Sequence, residues 1–337
     1  MSVMNEGIYR DSKIVEVLVA QAKGERIEST VLDDANKVYA ELIENINNPT
    51  AKAMLANLIT FAVQEMLPAE TDWRRYIADE RSISESDEAA FRVTHDGIKA
   101  FIIADGSTTP RTRVAHSQIV LPTVVVSARP VVSLRELRAG KVNMGELAAI
   151  ATRKMANVEN KYIENVLQTA AATWSSPFYG TGAGVVAATI DPMVQHWLRS
   201  GSAAIVGDIA AVQKLAPLTG FTAAVSTQQF APEIINEFNT TGRIGTYKGA
   251  SVVQFVNPYE TDGVNTVMKQ GALYIIPTAA NVEDRPLKVV RKGGIVTVDH
   301  TDIDEMTYEI RMDEYFGAGI AIGDHPMMSV YVDSTLP

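Results

Sequence analysis

Apolar residues recur at helical spacing through the first ninety positions and in alternating or continuous short runs through much of the rest. Ile14, Val15, Leu18 and Val19 make one short helical face. Val31, Leu32, Val38, Leu42, Ile43 and Ile46 make a second, closed by Asn47-Asn48-Pro49. A third run passes from Met54 through Leu58, Phe61 and Val63 and stops before Pro68. The stretch from Asp79 to Glu88 is polar and reads as a linker or exposed turn.

From Phe91 the period changes. Phe91 to Ile103 has strand-forming flanks around His95-Asp96-Gly97, a hairpin signal because Asp-Gly tolerates positive φ. A polar stretch from Asp105 to Ser117 follows, then strand-like residues from Ile119 to Val132 whose prolines suit edge or bent strands. The clearest helix begins after Gly145, where Asn143 and Glu146 have capping-box spacing and neither Gly nor Pro occurs from Glu146 to Ser176. Met144, Ala148, Ala151, Met155, Val158 and Tyr162 predict a helix of about 30 residues, about 45 Å long. Such a length suits a spine across a whole domain, and strict heptads are not sustained as a coiled coil requires.

Beyond Ser176 the pattern mixes both periods. Asp191–Leu198, Ile205–Leu215 and Phe230–Phe238 read as helices. Val252–Val256, Leu273–Pro277, Leu287–Arg291, Ile295–Val298, Met306–Arg311 and Met328–Val332 read as strands. The class is α+β, with strands concentrated late in the chain.

Composition narrows the function. The 337 residues are 46% hydrophobic and 21% charged, which excludes wholesale disorder and is enough for roughly two domains. No apolar run reaches the roughly 18 residues of a membrane span. Asp11, Lys13 and Glu16 interrupt the N-terminal apolar patch, so no signal peptide is expected. With no cysteine, the chain has no disulfides, thiolate metal sites or thiol catalysis.

The net charge of −10 disfavours life on nucleic-acid phosphates or an anionic membrane, but it is unevenly spread. Residues 1–90 carry 9 basic and 17 acidic side chains, residues 91–155 carry 10 and 4, and residues 156–337 carry 11 and 19. The result is a belt of +6 between two blocks of −8.

The candidate chemical motifs are thin. Gly180-Thr181-Gly182-Ala183-Gly184 follows a helix and lacks the Lys-Ser/Thr of a phosphate loop, so it reads as a flexible turn. The acids of Asp299 to Glu305 lack the order and glycine of a calcium loop; if extended, Asp302 and Asp304 share one face of a partner-facing edge. His95, His116, His196, His300 and His325 show no ligand spacing, and no GxSxG elbow anchors a triad. Trp73-Arg74-Arg75-Tyr76 reads as one turn of an amphipathic helix rather than a base-stacking platform. No catalytic, cofactor-binding or metal residue is expected.

The basic segment differs. An arginine-bearing β excursion holding Arg92, Lys99, Arg111, Arg113, Arg129, Arg135, Arg138 and Lys141 would seek carboxylates on a neighbour, with Asp302, Asp304 and Glu305 among the candidate partners. An ordinary solvated loop is the plainer reading.

In this order the parts resemble the major capsid (coat) protein family of tailed bacteriophages. The resemblance rests on the helical arm, the excursion with its DGSTTPRTRVAHS tip, and the long helix from Glu146 to about Trp174. It also rests on the late series TGRIGTYKGASVVQFVNP, QGALYIIP, PLKVVRKGGIVTV and EIRMDEYFGAGIAIGDHPMMSVYV. It implies an N-terminal arm over 1–90 and an extended loop over 91–132. A peripheral domain with the spine helix would span 133–177 and 284–337, and an axial domain 178–283.

The implied function is a non-enzymatic head-shell subunit that assembles into pentamers and hexamers around double-stranded DNA without reading its sequence. Scaffolding, portal and decoration proteins are further implied partners, no membrane is involved, and assembly occurs in the host bacterial cytoplasm. An encapsulin-like nanocompartment shell, which resembles the same fold, is one alternative. A metal-dependent cytosolic α+β enzyme using the acids of 299–305 is the other.

Overall fold

The computed structural model describes residues 7–23, 25–46, 48–95, 112, 115–139, 141, 144–219, 241, 243–278, 281–302, 304–322 and 326–337. Asn143, Lys99, Arg111, Arg113, His325 and the expected helix Phe230–Phe238 lie outside them.

Three helices open the chain: α1 (Gly7–Lys23), α2 (Ser29–Glu44) and α3 (Pro49–Glu70). The Asn48 side chain caps α3 by accepting from Thr50 N at 3.0 Å, and Pro49 occupies the first turn, where a missing N–H costs nothing. Leu55, Leu58, Ile59, Ala62, Val63, Met66 and Leu67 of α3 are all buried. The expected third face is therefore rotated: Met54 and Phe61 point outward, and Pro68 sits in the last helical turn rather than beyond it.

The long helix α5 (Met144–Ala171, 28 residues) follows the short strands β1 (Ala78–Ile83), β2 (Ala90–His95), β3 (Ala115–Val120), β4 (Val124–Ala128) and β5 (Val131–Ser133), and the helix α4 (Leu134–Arg138). At 1.5 Å per residue it is about 42 Å long. Met144, Ala148, Ala151, Met155, Ile163 and Leu167 form its buried stripe, as the spacing implies. The stripe departs from expectation in the middle, where Val158 is 52% exposed and Glu159 is fully buried. Gly145 lets α1 approach: a Cβ there would lie 3.0 Å from both Gln21 Cβ and Leu18 O.

The remaining elements are β6 (Tyr179–Gly182), α6 (Ala187–Leu198), β7 (Ala203–Gly207), α7 (Ile209–Val212), α8 (Leu215–Leu218), β8 (Thr246–Tyr247), β9 (Ala250–Gln254), β10 (Ala272–Pro277), β11 (Leu287–Asp302), β12 (Thr307–Ile320) and β13 (Ser329–Asp333). Two sheets organise them. A five-stranded sheet runs β1-β11-β12-β4, with β5 also pairing β12; a six-stranded sheet runs β6-β13-β10-β7-β9-β8. The arm, α5, the five-stranded sheet and one face of the six-stranded sheet share a single core. The other face of the six-stranded sheet packs on α6, α7 and α8 through Ile205, Leu273, Ile275, Ile190, Met193 and Trp197.

Several expectations are corrected. Residues 78–83 are not a linker but strand β1, parallel to β11 from Ala78↔Leu287 to Ile83↔Lys292. Ile205–Gly207 belong to the fully buried strand β7, with helix only from Ile209, because a continuous apolar run fits a central strand as well as a helix. The glycine run begins as strand β6, parallel to β13. The two strands expected at 287–298 are one, bulged between Lys292 and Ile295 where Gly293 and Gly294 take φ of +72° and +77°. Strand β13 lies between β6 and β10 in the six-stranded sheet, while β11 and β12 pair in the five-stranded one.

Candidate assembly surfaces and a buried ionic junction

Strands β2 and β3 form a two-stranded ribbon running from Ala90↔Val120 to His95↔Ala115. The expected Asp96-Gly97 turn lies outside the described residues, and the strand at 91–95 pairs with residues 115–120. Its root explains the register, since Ala89, Phe91 and Leu121 are buried together with Val290 of β11. The Arg81 guanidinium lies 4.8 Å and the Lys288 ammonium 5.8 Å from the Phe91 ring centroid. Both cations also hold buried Asp79, at 2.8 Å from Arg81 Nη2 and 3.3 Å from Lys288 Nζ. Beyond the root, Arg92, His116, Ser117 and Gln118 are exposed, and Arg92 meets His116 across the ribbon.

The other candidate contact residues are largely occupied within their own chain. Arg129 Nε donates to Glu309 Oε2 at 2.9 Å, and Nη2 reaches the same oxygen. Its Nε and Nη2 edge is thus engaged within the chain. The Asp302 carboxylate accepts from the backbone N–H of Asp304 at 2.9 Å and of Glu305 at 3.1 Å, closing the turn between β11 and β12. Asp302 and Asp304 therefore do not share an extended face, because the turn reverses the chain. Asp304 and Glu305 are exposed, as are Arg135 and Lys141 of the basic segment. Among the described residues, no three His, Asp or Glu side chains are grouped to hold a metal, and no helix is long and apolar enough to cross a membrane.

The glycine run has a packing role. A Cβ at Gly180 would come within 2.5 Å of Met193 Cε, and one at Gly182 within 2.6 Å of Tyr331 Oη. Gly184 N–H donates to the Asp333 carboxylate at 2.8 Å, so it faces an acid rather than a phosphate. Asp333 also accepts from Lys214 Nζ at 2.6 Å and from Thr335 N and Oγ1. Burial alone would raise its pKa, but these donors outweigh burial and hold it at about 2.

The strongest polar feature was hidden from sequence. The Trp73-Arg74-Arg75-Tyr76 tetrad forms a 3-10 turn (Asp72–Tyr76) that packs Trp73 against Phe255 and buries Arg74 completely. Arg74 Nη1 donates to Glu159 Oε2 at 2.7 Å, while Nε and Nη2 donate to Asn160 Oδ1 at 3.1 and 2.7 Å. From β11, Arg291 reaches the same Glu159 oxygen at 2.9 Å, Glu80 at 2.9 Å and Glu314 at 3.4 Å. Arg74, Glu80, Arg291 and Glu314 line a cavity of about 550 Å³ together with Gln64, Thr71 and Ile295. The junction joins the helical arm, the spine helix and three strands. Its chemistry is that of a structural clamp.

A long helix sharing one core with both sheets, a ribbon clamped at its root and a buried ionic junction are the main features of the chain. Residues 1–330 match the family described as "SPbeta prophage-derived putative capsid protein YonB". The chain belongs to this family. It is a capsid protein, and its fold agrees. The chain is similar to a subunit in the asymmetric unit of the bacteriophage PhiM1 mature capsid, with a TM-score of 0.52, 15% identity, and 79% of this chain and 87% of that chain covered. It is similar also to the capsid subunit of an empty GTA particle, with a TM-score of 0.50, 15% identity and coverage of 78% and 89%. At such identities the likeness speaks for the fold, which is that of phage head-shell subunits. No curated protein sequence matches the chain.

Proposed function

We propose that this capsid protein is the major subunit of an icosahedral phage head, closing by self-association into pentamers and hexamers around double-stranded DNA. The family match over residues 1–330 carries the reading. A shell needs broad heterologous contacts that close by rotation, and elongated parts that overlap neighbours add area to each. The spine helix and five-stranded sheet make the peripheral part. The six-stranded sheet makes the axial part, and the β2–β3 ribbon is the root of the intersubunit loop. Arg92, Lys99, Arg111 and Arg113 on that loop would meet acidic surface of the next subunit, to which exposed Asp304 and Glu305 contribute. The net charge of −10 keeps the wall from gripping the DNA it encloses.

The role is structural, without catalysis or cofactor, and the family favours it over a metal-dependent enzyme. It also favours a virion shell over a nanocompartment; on this reading the shell assembles in the host bacterial cytoplasm. Scaffolding, portal and decoration proteins complete the head. Light scattering and negative-stain microscopy of the purified chain, alone and with a scaffolding protein, test the proposal. Rings, tubes or shells are expected. A persistent 36.6 kDa monomer that binds a small molecule saturably would overturn it.

A further inference from the structure

The ionic junction contains a polar detail that its arginines do not account for. Five charged groups meet there, each from a different element: Arg74 from the 3-10 turn, Glu80 from β1, Glu159 from α5, Arg291 from β11 and Glu314 from β12. Fully ionised, two cations face three anions, and the group is left with one negative charge. Arg75 and Arg285 also line the cavity, with Arg285 Nη1 held by Ala78 O at 3.0 Å and Arg75 by the Tyr76 hydroxyl at 2.9 Å.

One oxygen of each buried acid is bound by arginine, and the other is not. Glu159 Oε1 and Glu314 Oε2 are both shut off from solvent and have no hydrogen-bond partner. An orphaned, buried carboxylate oxygen is costly. Two of them on neighbouring acids have a common remedy, a proton carried by one and donated to the other.

We propose that Glu159 and Glu314 share one proton at neutral pH, and that this proton latches the Asp72–Tyr76 turn, and with it helices α1 to α3, onto the spine helix and the five-stranded sheet. Burial is the main force pushing the Glu314 carboxyl up, to about 8; Arg291 opposes the rise, and the neighbouring Glu159 adds to it. At pH 7 Glu314 is thus the donor, and the junction is neutral. Loss of the proton sets two carboxylates against each other beside Arg291 and leaves the site at −1. Glu159 is also the acceptor for Arg74, so this repulsion is felt where the arm is held. The native pKa lies above the ordinary 4.5, so the contribution is full below about 4.5 and lost as pH rises through about 8.

Infrared difference spectroscopy of the full chain tests the proton, and hydrogen exchange tests the latch. Both are run in a Glu164→Gln background, which removes the other strongly raised carboxyl among the described residues. The carbonyl stretch of a buried, protonated carboxyl is expected near neutral pH. It should vanish with a midpoint near pH 8 and be absent once Glu314→Gln is added. After correction for intrinsic exchange, protection of amides in residues 72–83 should fall up to about tenfold per pH unit between about 4.5 and that midpoint and level off above it. It should stay level in Glu314→Gln, whose amide donates to Glu159 as the acid does. Absence of the protonated signal, or an equal loss of protection in Glu314→Gln, overturns the proposal. Should Glu314→Gln fail to fold, the titration in the Glu164→Gln chain decides alone.

Discussion

Arg74 Nη1 donates to Glu159 Oε2 across 2.7 Å, and neither side chain reaches solvent. The pair bolts the end of the helical arm to the middle of the spine helix. Desolvation drives the Arg74 pKa down, and Glu159 is the largest influence holding it up. Arg74→Met keeps the packed stem and deletes the charge, leaving Glu159 to Arg291 alone. The expected loss is about 3–5 kcal/mol, read as a lower urea midpoint. Adding Glu159→Gln should recover part of that loss, because the second change removes the stranded anion. Equal stability of Arg74→Met and wild type would show that the pair does not hold the arm.

A second acid on the same helix gives a pH prediction of its own. Glu164 Oε1 accepts from Lys269 N at 2.6 Å in a buried site, and burial raises its carboxyl from 4.5 to about 7 against the pull of that N–H. The native chain therefore holds a proton that the unfolded chain has released. Stability from this group is full below about 4.5 and is lost as pH rises through about 7, at up to about 1.4 kcal/mol per unit. Glu164→Gln, which still offers an oxygen to Lys269 N, should flatten that part of the curve. Urea unfolding at several pH values checks this, with the difference between variant and wild type isolating Glu164.

These two contacts also show where sequence reading stops. The spine helix was legible because no Gly or Pro interrupts Glu146 to Ser176 and its small residues recur on one stripe. The late strands were legible as apolar runs. Strand β1 was not, because Asp79, Glu80 and Arg81 look solvated until Lys288 and Arg291 are placed beside them by parallel pairing, which leaves no local turn signal. The junction was invisible for the same reason: Arg74 and Glu159 are 85 residues apart, and Glu159 and Arg291 are 132 apart. The basic belt was visible as charge, but the pairing of Arg129 with Glu309 needed the register of β12.

Close approach of backbones sets a prediction at the sheet between β10 and β13. A Cβ at Gly271 would lie 2.3 Å from Asp333 O, and Asp333 N donates to Gly271 O at 2.8 Å. The obstructing atom is backbone, so it cannot swing away. Gly271→Ala should cost about 1–3 kcal/mol or more and lower the calorimetric melting temperature. Gly263, at φ +68° with open space around it, is the control; Gly263→Asn should cost well under about 1 kcal/mol.

The basic loop supplies the assembly prediction. Arg111 and Arg113 stand in the stretch that carries +6 between two acidic blocks, and a copy of the chain offers the carboxylates such a fork prefers. Replacing both with Glu should slow or abolish particle formation, measured by light scattering, while the subunit melts at the wild-type temperature. Added salt should weaken wild-type assembly in the same direction, since charges meeting at a wet interface are screened. Arg129→Ala separates this from a general loss of positive charge. Arg129 is 60% exposed and already paired with Glu309, so its removal should cost the subunit no more than about 1 kcal/mol and leave assembly intact. Unchanged assembly of the Arg111→Glu, Arg113→Glu chain at low salt would mean that the belt is solvated surface.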